Sequence, residues 1–202
     1  DTVTDEQAAA GNFPAILVHG HQDVRVPDQQ RRHYRSGIPA LIHEEGLHLD
    51  VCTGGELAVA ERAGFPMEKV GFHGNNKSVA ELERAVRLGV GRIIVDSFHE
   101  IERLSAVTAG ASREVGVMVR VTAGVEAHTH EYIATAHEDQ KFGFSITAGD
   151  ALEAVRRVHE APGLRLLGLH SHIGSQIFDT SGFEVAARRV LALHARVGEE
   201  LG

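Results

Sequence analysis

Short apolar segments recur along the chain from about residue 45, at intervals of roughly 22 to 25 residues. They are rich in leucine or β-branched residues and are nearly continuous, which is typical of strands buried on both faces of a sheet. The predicted strands are LHLDV (47–51), KVGFH (69–73), GRIIVD (91–96), VGVMVRV (115–121) and LRLLGLH (164–170).

Segments with helix start and stop signals separate these strands. Ser78 is followed three residues later by Glu81, and Ser97 by Glu100, so we predict a capping box at both places. Glycine or proline stands at the end of several segments, where helices commonly stop. The predicted helices cover residues 54–64, 78–89, 97–104, 149–163 and 181–201.

Alternating strands and helices predict parallel βαβ units, either in a doubly wound sheet or in a (β/α)₈ barrel. No GxGxxG sequence opens a helix, so a Rossmann dinucleotide site has no support. A barrel is favoured because each strand ends in polar residues, and the carboxyl ends of barrel strands converge on one mouth. These strand-end residues are Asp50, His73, Asn75, Asn76, Asp96, Ser97, Arg120, His170 and His172.

The first 40 residues do not follow this alternation. The segment FPAILVHGH (13–21) could form a strand, but the polar segment after it has no clear helical face. A complete barrel needs about 250 residues. We therefore predict an atypical segment over residues 1–41 and a partial barrel over 42–202. The long connection from 122 to 145 is predicted to be functional.

Composition narrows the function classes. The chain has 202 residues, 43% hydrophobic and 24% charged, which suits one globular domain. Its formal net charge of −8 argues against nucleic acid or an anionic membrane as the main partner. No long apolar segment or secretory signal is found, and the single cysteine, Cys52, favours a reducing cytoplasm. The 14 histidines justify a search for a site built from imidazole.

Four long motifs resemble one enzyme family. They are LDVCTGGELAVAERAGFP (49–66), HGNNKSVAELERAVRLGVGRIIVDS (73–97), HTHEYIATAHEDQKFGFS (128–145) and GLHSHIGSQI (168–177). Together they resemble the diaminopimelate decarboxylases, within the pyridoxal-phosphate-dependent ornithine/diaminopimelate/arginine decarboxylases. The resemblance extends from about residue 42 to residue 202.

The resemblance implies a fold and a reaction. The fold is an α/β, incomplete (β/α)₈ TIM barrel of the alanine-racemase-like type (fold type III), without the β-rich C-terminal domain of the family. The reaction is decarboxylation of meso-2,6-diaminopimelate to L-lysine and CO₂ in lysine biosynthesis, with pyridoxal 5′-phosphate (PLP) as cofactor. Family members are homodimers with active sites at the subunit interface. The choice of diaminopimelate over ornithine or arginine rests wholly on this resemblance.

By the same resemblance, five residues are assigned to the cofactor. His172 stacks on the pyridine ring, Ser175 binds the phosphate, and Gly174 lets the backbone approach closely. Asp50 and Arg120 lie near the ring. Residue type alone leaves other interpretations open: a strand-end histidine for His172, a helix N-cap for Asp50, and a solvated side chain for Arg120. We interpret His170 as structural, on the opposite face of its strand.

The lysine that carries PLP as a Schiff base in the family is not found. It belongs to the first barrel strand, but the corresponding segment, residues 19–46, contains no lysine. The chain's lysines are Lys69, Lys77 and Lys141. Lys141 matches a supporting lysine of the family or is simply exposed, and Lys77 is expected to support the mouth. No catalytic residue is assigned, and we expect this chain to be inactive by itself.

Two other functions remain open at this stage. The histidine pairs in ILVHGH (16–21), HTH (128–130) and HSH (170–172) are typical of metal-dependent hydrolases on the same barrel. Histidines two apart on a strand share a face, but such sites need further ligands on later strands. The alternative is a non-catalytic remnant of the decarboxylase, with open sheet edges prone to association.

Overall fold

The computed structural model describes residues 15–19, 39, 42–109, 113–124, 142–174 and 181–201. Strands and helices alternate along these residues. The strands are β1 (Ala15–His19), β2 (Leu49–Val51), β3 (Val70–Phe72), β4 (Arg92–Val95), β5 (Val115–Thr122), β6 (Phe144–Ser145) and β7 (Leu164–His172). The helices are α1 (Gly54–Arg62), α2 (Val79–Leu88), α3 (Phe98–Thr108), α4 (Asp150–Glu160) and α5 (Ser181–Leu201), with a 3₁₀ turn at Met67–Lys69.

The sheet is parallel and has the order β1-β7-β5-β4-β3-β2. Short β6 pairs with the end of β5, at residues 121–122, beyond the part of β5 that pairs with β7. Apart from the short β6, each strand from β2 to β7 lies beside the preceding strand of the sheet, whereas a doubly wound sheet reverses direction. Helix α2 contacts α3, α3 contacts α4, and α4 contacts α5. The predicted incomplete (β/α)₈ barrel is confirmed.

The two faces of the sheet differ in chemistry. Residues in register on parallel strands point to the same face, and successive residues alternate. The row Val51, Phe72, Ile93 and Val117 is in register, buried, and part of the core that the helices cover. The alternate residues form the inner, concave face: Asp50, Gly71, His73, Arg92, Asp96, Arg120, His170 and His172.

Helix starts agree with the predictions in part. Ser78 and Glu81 form the predicted capping box of α2. A second capping box, not predicted, opens α1 with Thr53 and Glu56. At α3 the Ser97 hydroxyl accepts the Glu100 N–H, but the Glu100 carboxylate accepts the N–H of Asp96 instead of closing the box. The capping box predicted at α3 is therefore wrong in its second half.

Two strands lie outside the alternation predicted from the sequence. The possible strand near the N-terminus is present as β1, which pairs with β7 from Ala15↔Gly168 to His19↔His172. Strand β6 lies at the end of the long 122–145 connection and was not predicted, because two residues leave no periodicity to detect. Among the described helices, none combines the length and apolar character needed to cross a bilayer.

Candidate functional site

Side chains from three strands are linked across the inner face. Asp50 Oδ1 of β2 lies 3.4 Å from Nε2 of His73, which directly follows β3. The His73 ring meets the ring of His170, on β7, edge to face with centroids 4.9 Å apart. His170 is 2% exposed, so this chain of contacts reaches from the mouth into the protein interior.

Gly71 makes room for the Asp50 carboxylate. A Cβ at residue 71 would lie 2.5 Å from Asp50 Oδ1, closer than nonbonded atoms approach. The guanidinium of Arg92 binds the same Oδ1 at 3.3 Å and contacts His48 Nδ1 at 2.9 Å. The N-cap interpretation of Asp50 is wrong, because Thr53 caps α1. Asp50 is instead held between a cation and an imidazole.

Arg120 is fixed by a buried carboxylate. Its NH1 lies 3.2 Å from Oδ2 of Asp96, whose side chain is 1% exposed. The other oxygen, Asp96 Oδ1, accepts the backbone N–H of Gly143. The Arg120 guanidinium also stacks over Phe142, with Cζ 4.8 Å from the ring centroid. Arg120 is therefore not a solvated side chain; it presents a positioned cation at the mouth.

Lys77 lies beneath this pair and is almost fully buried. Its Nζ donates to the carbonyl oxygens of Gly74 at 2.5 Å and Ile94 at 2.8 Å, and pairs with Glu100 Oε1 at 2.6 Å. An ammonium group has three N–H donors, and all three are used here. The expected supporting role of Lys77 fits these contacts, while Asn75 and Asn76 on the same loop are exposed.

Burial sets the ionisation of two groups near the mouth. Desolvation raises the pKa of Glu100 above 4.5, although Lys77 and the Asp96 N–H act to lower it. Burial, followed by the charges of Glu56 and Asp50, raises the pKa of the Cys52 thiol above 9.0. Cys52 is therefore a protonated thiol near neutral pH, and a weak nucleophile.

His170 and His172 lie on the same face of β7, because they are two residues apart on a regular strand. Placing His170 on the opposite face was wrong; the residue of opposite parity is Ser171. His172 ends the strand and is partly exposed, whereas His170 is covered. Gly174 follows with φ 124°, in the region that favours glycine. Ser175 and Lys141 lie outside the described residues.

The sequence patterns missed the carboxylates that support Arg120. Asp96 was recognised as a strand-end residue, but its partner lies 24 residues away in the chain. Glu100 was assigned to a helix cap. A signal was present, because Glu100 shares the buried side of α3 with Ile101 and Leu104. A charged residue within an apolar stripe predicts a buried partner.

The inner face suits the non-covalent part of a PLP site. A partly exposed imidazole, a fixed guanidinium and a glycine with positive φ match a flat ring that carries a phosphate. The covalent part is not provided by the described residues. The Nζ of Lys77 is already bound by two carbonyl oxygens and the Glu100 carboxylate. Lys69 precedes β3 and therefore lies at its amino-terminal end, opposite the mouth.

Nothing in the described part of the chain resembles a metal site. No three His, Cys, Asp or Glu side chains converge there as metal ligands would. The HTH histidines, His128 and His130, fall outside the described residues, as does His21.

The chain matches a family model described as "Pyridoxal-dependent decarboxylase, pyridoxal binding domain" over residues 33–202. Diaminopimelate decarboxylase of Mycobacterium tuberculosis is 62% identical over 167 residues, which cover 83% of this chain and 37% of that protein. The enzyme of Mycobacterium leprae is 65% identical over 156 residues, or 77% of this chain and 33% of that one. The chain thus spans about a third of the length of these relatives.

Solved structures show the same relationship. Diaminopimelate decarboxylase of M. jannaschii in complex with L-lysine has a TM-score of 0.75 and 26% identity, over 96% of this chain and 43% of that one. A second structure of the M. jannaschii enzyme has a TM-score of 0.74 and 29% identity, over 83% of this chain and 39% of that one.

Proposed function

The chain belongs to the pyridoxal-dependent decarboxylases, and from this membership we propose that the protein containing it decarboxylates meso-2,6-diaminopimelate to L-lysine and CO₂. The cofactor of this family is PLP. The substrate proposal is supported by the 62% and 65% identity to diaminopimelate decarboxylases and by the lysine complex of the M. jannaschii enzyme. Ornithine and arginine are the competing substrates that an assay must include.

One observation carries the proposal: Asp50, Arg120 and His172 lie on the same face of one sheet. The strand register places them there, and Asp50 and Arg120 are each held by a charged partner. A decarboxylation site needs groups that grip a flat cofactor from several sides. Had these three residues fallen on different faces, the family likeness would have had no site to support it.

Each residue has a proposed role. His172 stacks on the cofactor ring, Arg120 binds an anionic oxygen beside it, and Gly174 lets the backbone approach the phosphate that Ser175 binds. Asp50, between Arg92 and His73, orients the polar edge of the ring. PLP, when bound, accepts the electron pair released as the carbon–carbon bond to CO₂ breaks. The protein supplies orientation and charge compensation.

We further propose that the 202-residue chain alone has no decarboxylase activity, as a non-catalytic remnant would. The support is the covered Nζ of Lys77 and the distant position of Lys69. The test is to add PLP to the purified chain, reduce with borohydride, and map adducts by mass spectrometry. No adduct on any lysine is the expected result. An adduct on Lys77 or Lys141, together with CO₂ release from diaminopimelate, would contradict it.

Two further proposals concern the oligomeric state of the protein and the division of the chain near residue 41. We propose that the protein containing this chain forms a homodimer and binds a small amino-acid substrate, and that residues 1–41, which contribute β1 to the sheet, are an atypical segment that does not match the family, unlike the partial barrel at 42–202. Analytical ultracentrifugation of that protein tests the first point. Deletion of residues 1–41, with the β2–β5 fold followed by circular dichroism, tests the second.

A further inference from the structure

The buried pair of Lys77 and Glu100 is the feature that the cofactor site leaves unexplained. The two side chains are 1% and 4% exposed, and neither reaches the mouth. Burying two charges is costly, and such a pair stabilises a fold less than apolar residues of the same size commonly would. The pair therefore calls for a role other than stability.

The contacts of Glu100 indicate that role. Oε1 pairs with Lys77 Nζ at 2.6 Å, while Oε2 accepts the N–H of Asp96 at 3.0 Å. Asp96 in turn binds Arg120 with Oδ2 at 3.2 Å. Lys77 is thus three contacts away from the guanidinium at the mouth, through Glu100 and Asp96.

The same network connects two successive strand ends. Lys77 follows β3 and donates to the carbonyl of Ile94 on β4, while Asp96 directly follows β4. Through Asp96 Oδ1 the network also holds the N–H of Gly143, next to Phe142, on which Arg120 stacks. The ends of β3, β4 and β5 are thereby fixed relative to each other around Arg120.

We propose that Lys77 is a positioning residue, which fixes the Glu100 carboxylate and through Asp96 holds the Arg120 guanidinium where it binds an anionic oxygen of the ligand. This inference rests on the proposed function for the identity of the ligand, and on the contacts alone for the positioning. An uncharged side chain of the same size at residue 100 would bind the Asp96 N–H and Lys77 more weakly, because hydrogen bonds to a charged acceptor are stronger.

The test follows Arg120 directly, with no need for activity. In the ¹⁵N-labelled 202-residue chain, the exchange rate of the Arg120 Nε–H with water reports how firmly the guanidinium is held. For both Lys77→Met and Glu100→Gln we expect this rate to rise about tenfold, the effect of losing one hydrogen bond to a charged group. Lys69→Met, at the other end of β3, is the matched control and leaves the rate unchanged.

The double variant Lys77→Met/Glu100→Met separates positioning from simple stability. Replacing both charges with apolar groups restores stability lost in Lys77→Met, because no charge is left buried alone. Arg120 exchange stays fast, because a methionine side chain at residue 100 offers no oxygen to the Asp96 N–H, which Glu100 accepts in the unchanged chain. Slow exchange in the double variant would overturn the proposal. If Lys77→Met does not fold, the Arg120 exchange rates of Glu100→Gln and of the double variant test the positioning role.

Equilibrium dialysis with PLP keeps this proposal distinct from the proposed function. We expect PLP to bind the unchanged chain and to bind Glu100→Gln about tenfold more weakly, the effect of weakening one hydrogen bond to a charged group. Absence of PLP binding to the unchanged chain would count against the proposed function, while Arg120 exchange would still decide the positioning role. PLP binding with unaltered Arg120 exchange in Glu100→Gln would overturn the positioning role alone.

Discussion

Helices α2 and α3 begin with the same pattern, a serine N-cap followed three residues later by glutamate, and the two glutamates have different roles. Glu81 at α2 is on the surface and closes a capping box with Ser78. Glu100 at α3 is buried, and turns away from Ser97 toward Lys77 and Asp96. The pattern predicts where a helix starts; burial decides whether the carboxylate serves the helix or the site.

The difference is also visible in the pKa values. Hydrogen bonds from Ser78 and Gly54 lower the pKa of Glu81 below 4.5, because they favour the charged form. Burial raises the pKa of Glu100 above 4.5, against the influence of Lys77. A surface cap gains from its charge, whereas the buried glutamate retains its charge at a cost. This cost is understandable if the carboxylate positions Asp96 and Arg120.

The largest effect is expected from removing the partner of the buried glutamate. Lys77→Met should lower the free energy of unfolding by about 3–5 kcal/mol, because it leaves a buried carboxylate uncompensated. Urea unfolding followed by circular dichroism measures it. The control is Arg84→Met, which breaks the exposed 2.5 Å pair with Glu61 and should cost about 1 kcal/mol or less. Equal costs would erase the distinction between buried and surface charges.

Removing the buried Glu100 should likewise lower the free energy of unfolding more than removing Glu81. Glu100→Ala should cost about 3 kcal/mol, because Lys77 is left buried without its counter-ion. Glu81→Ala should cost about 1–2 kcal/mol, since it loses the reciprocal bond of the capping box and the bond from the Gly54 N–H, but leaves no charge buried alone. Thermal unfolding of both variants in the same buffer gives the comparison. A larger loss for Glu81→Ala would reverse the assignment of roles.

The two serines should behave alike although the glutamates do not. Ser78 and Ser97 each accept an N–H bond at the first turn. Ser78→Ala and Ser97→Ala should therefore each lower the free energy of unfolding by about 1 kcal/mol. The measurement is the midpoint of urea unfolding, compared between variants whose free energy of unfolding depends equally steeply on urea concentration. A much greater loss of stability in Ser97→Ala than in Ser78→Ala would mean that the two helix starts differ as a whole, and not only in their glutamates.

Titration should give the smallest effects, with opposite signs for the two carboxyls. Because the folded pKa of Glu81 is lowered, its contribution to stability is present above pH 4.5 and is lost as pH falls through the folded pKa. Glu100 has a raised folded pKa, so its cost is relieved as pH falls through that pKa toward 4.5. Carboxyl ¹³C chemical shifts should place the Glu81 midpoint below 4.5 and the Glu100 midpoint above it. Midpoints in the reverse order would contradict the buried state of Glu100.

Much of the scaffold is accessible from the sequence because it depends on local patterns. Apolar runs such as GRIIVD predict β4, and Ser78 with Glu81 predicts the start of α2. The inner face was also anticipated, since polar strand ends must converge in a parallel barrel. Asp50 and Arg120 were identified this way, with the family resemblance supplying their relation to the cofactor.

The pairings within the site could not be predicted, because they join residues far apart in the chain. Asp96 is 24 residues from Arg120 and 47 residues from Gly143. No periodic pattern encodes such contacts, and each end has a plausible local role that conceals the distant one. Glu100 was taken for a cap residue for that reason. The predicted face of His170 was wrong for a different reason: residues 170 and 172 are two apart on the strand and therefore point the same way.

The order of the strands has a consequence for how the protein is made. Apart from the short β6, each strand from β2 to β7 pairs with the preceding strand of the sheet, so a nascent chain leaving the ribosome can add one βα unit at a time. Strand β1 is the exception, since its partner β7 is translated only after the strands β2 to β6 that lie between them in the chain. We expect residues 49–122 to gain protection from protease on the ribosome early, and β1 to remain cleavable until residue 172 has emerged.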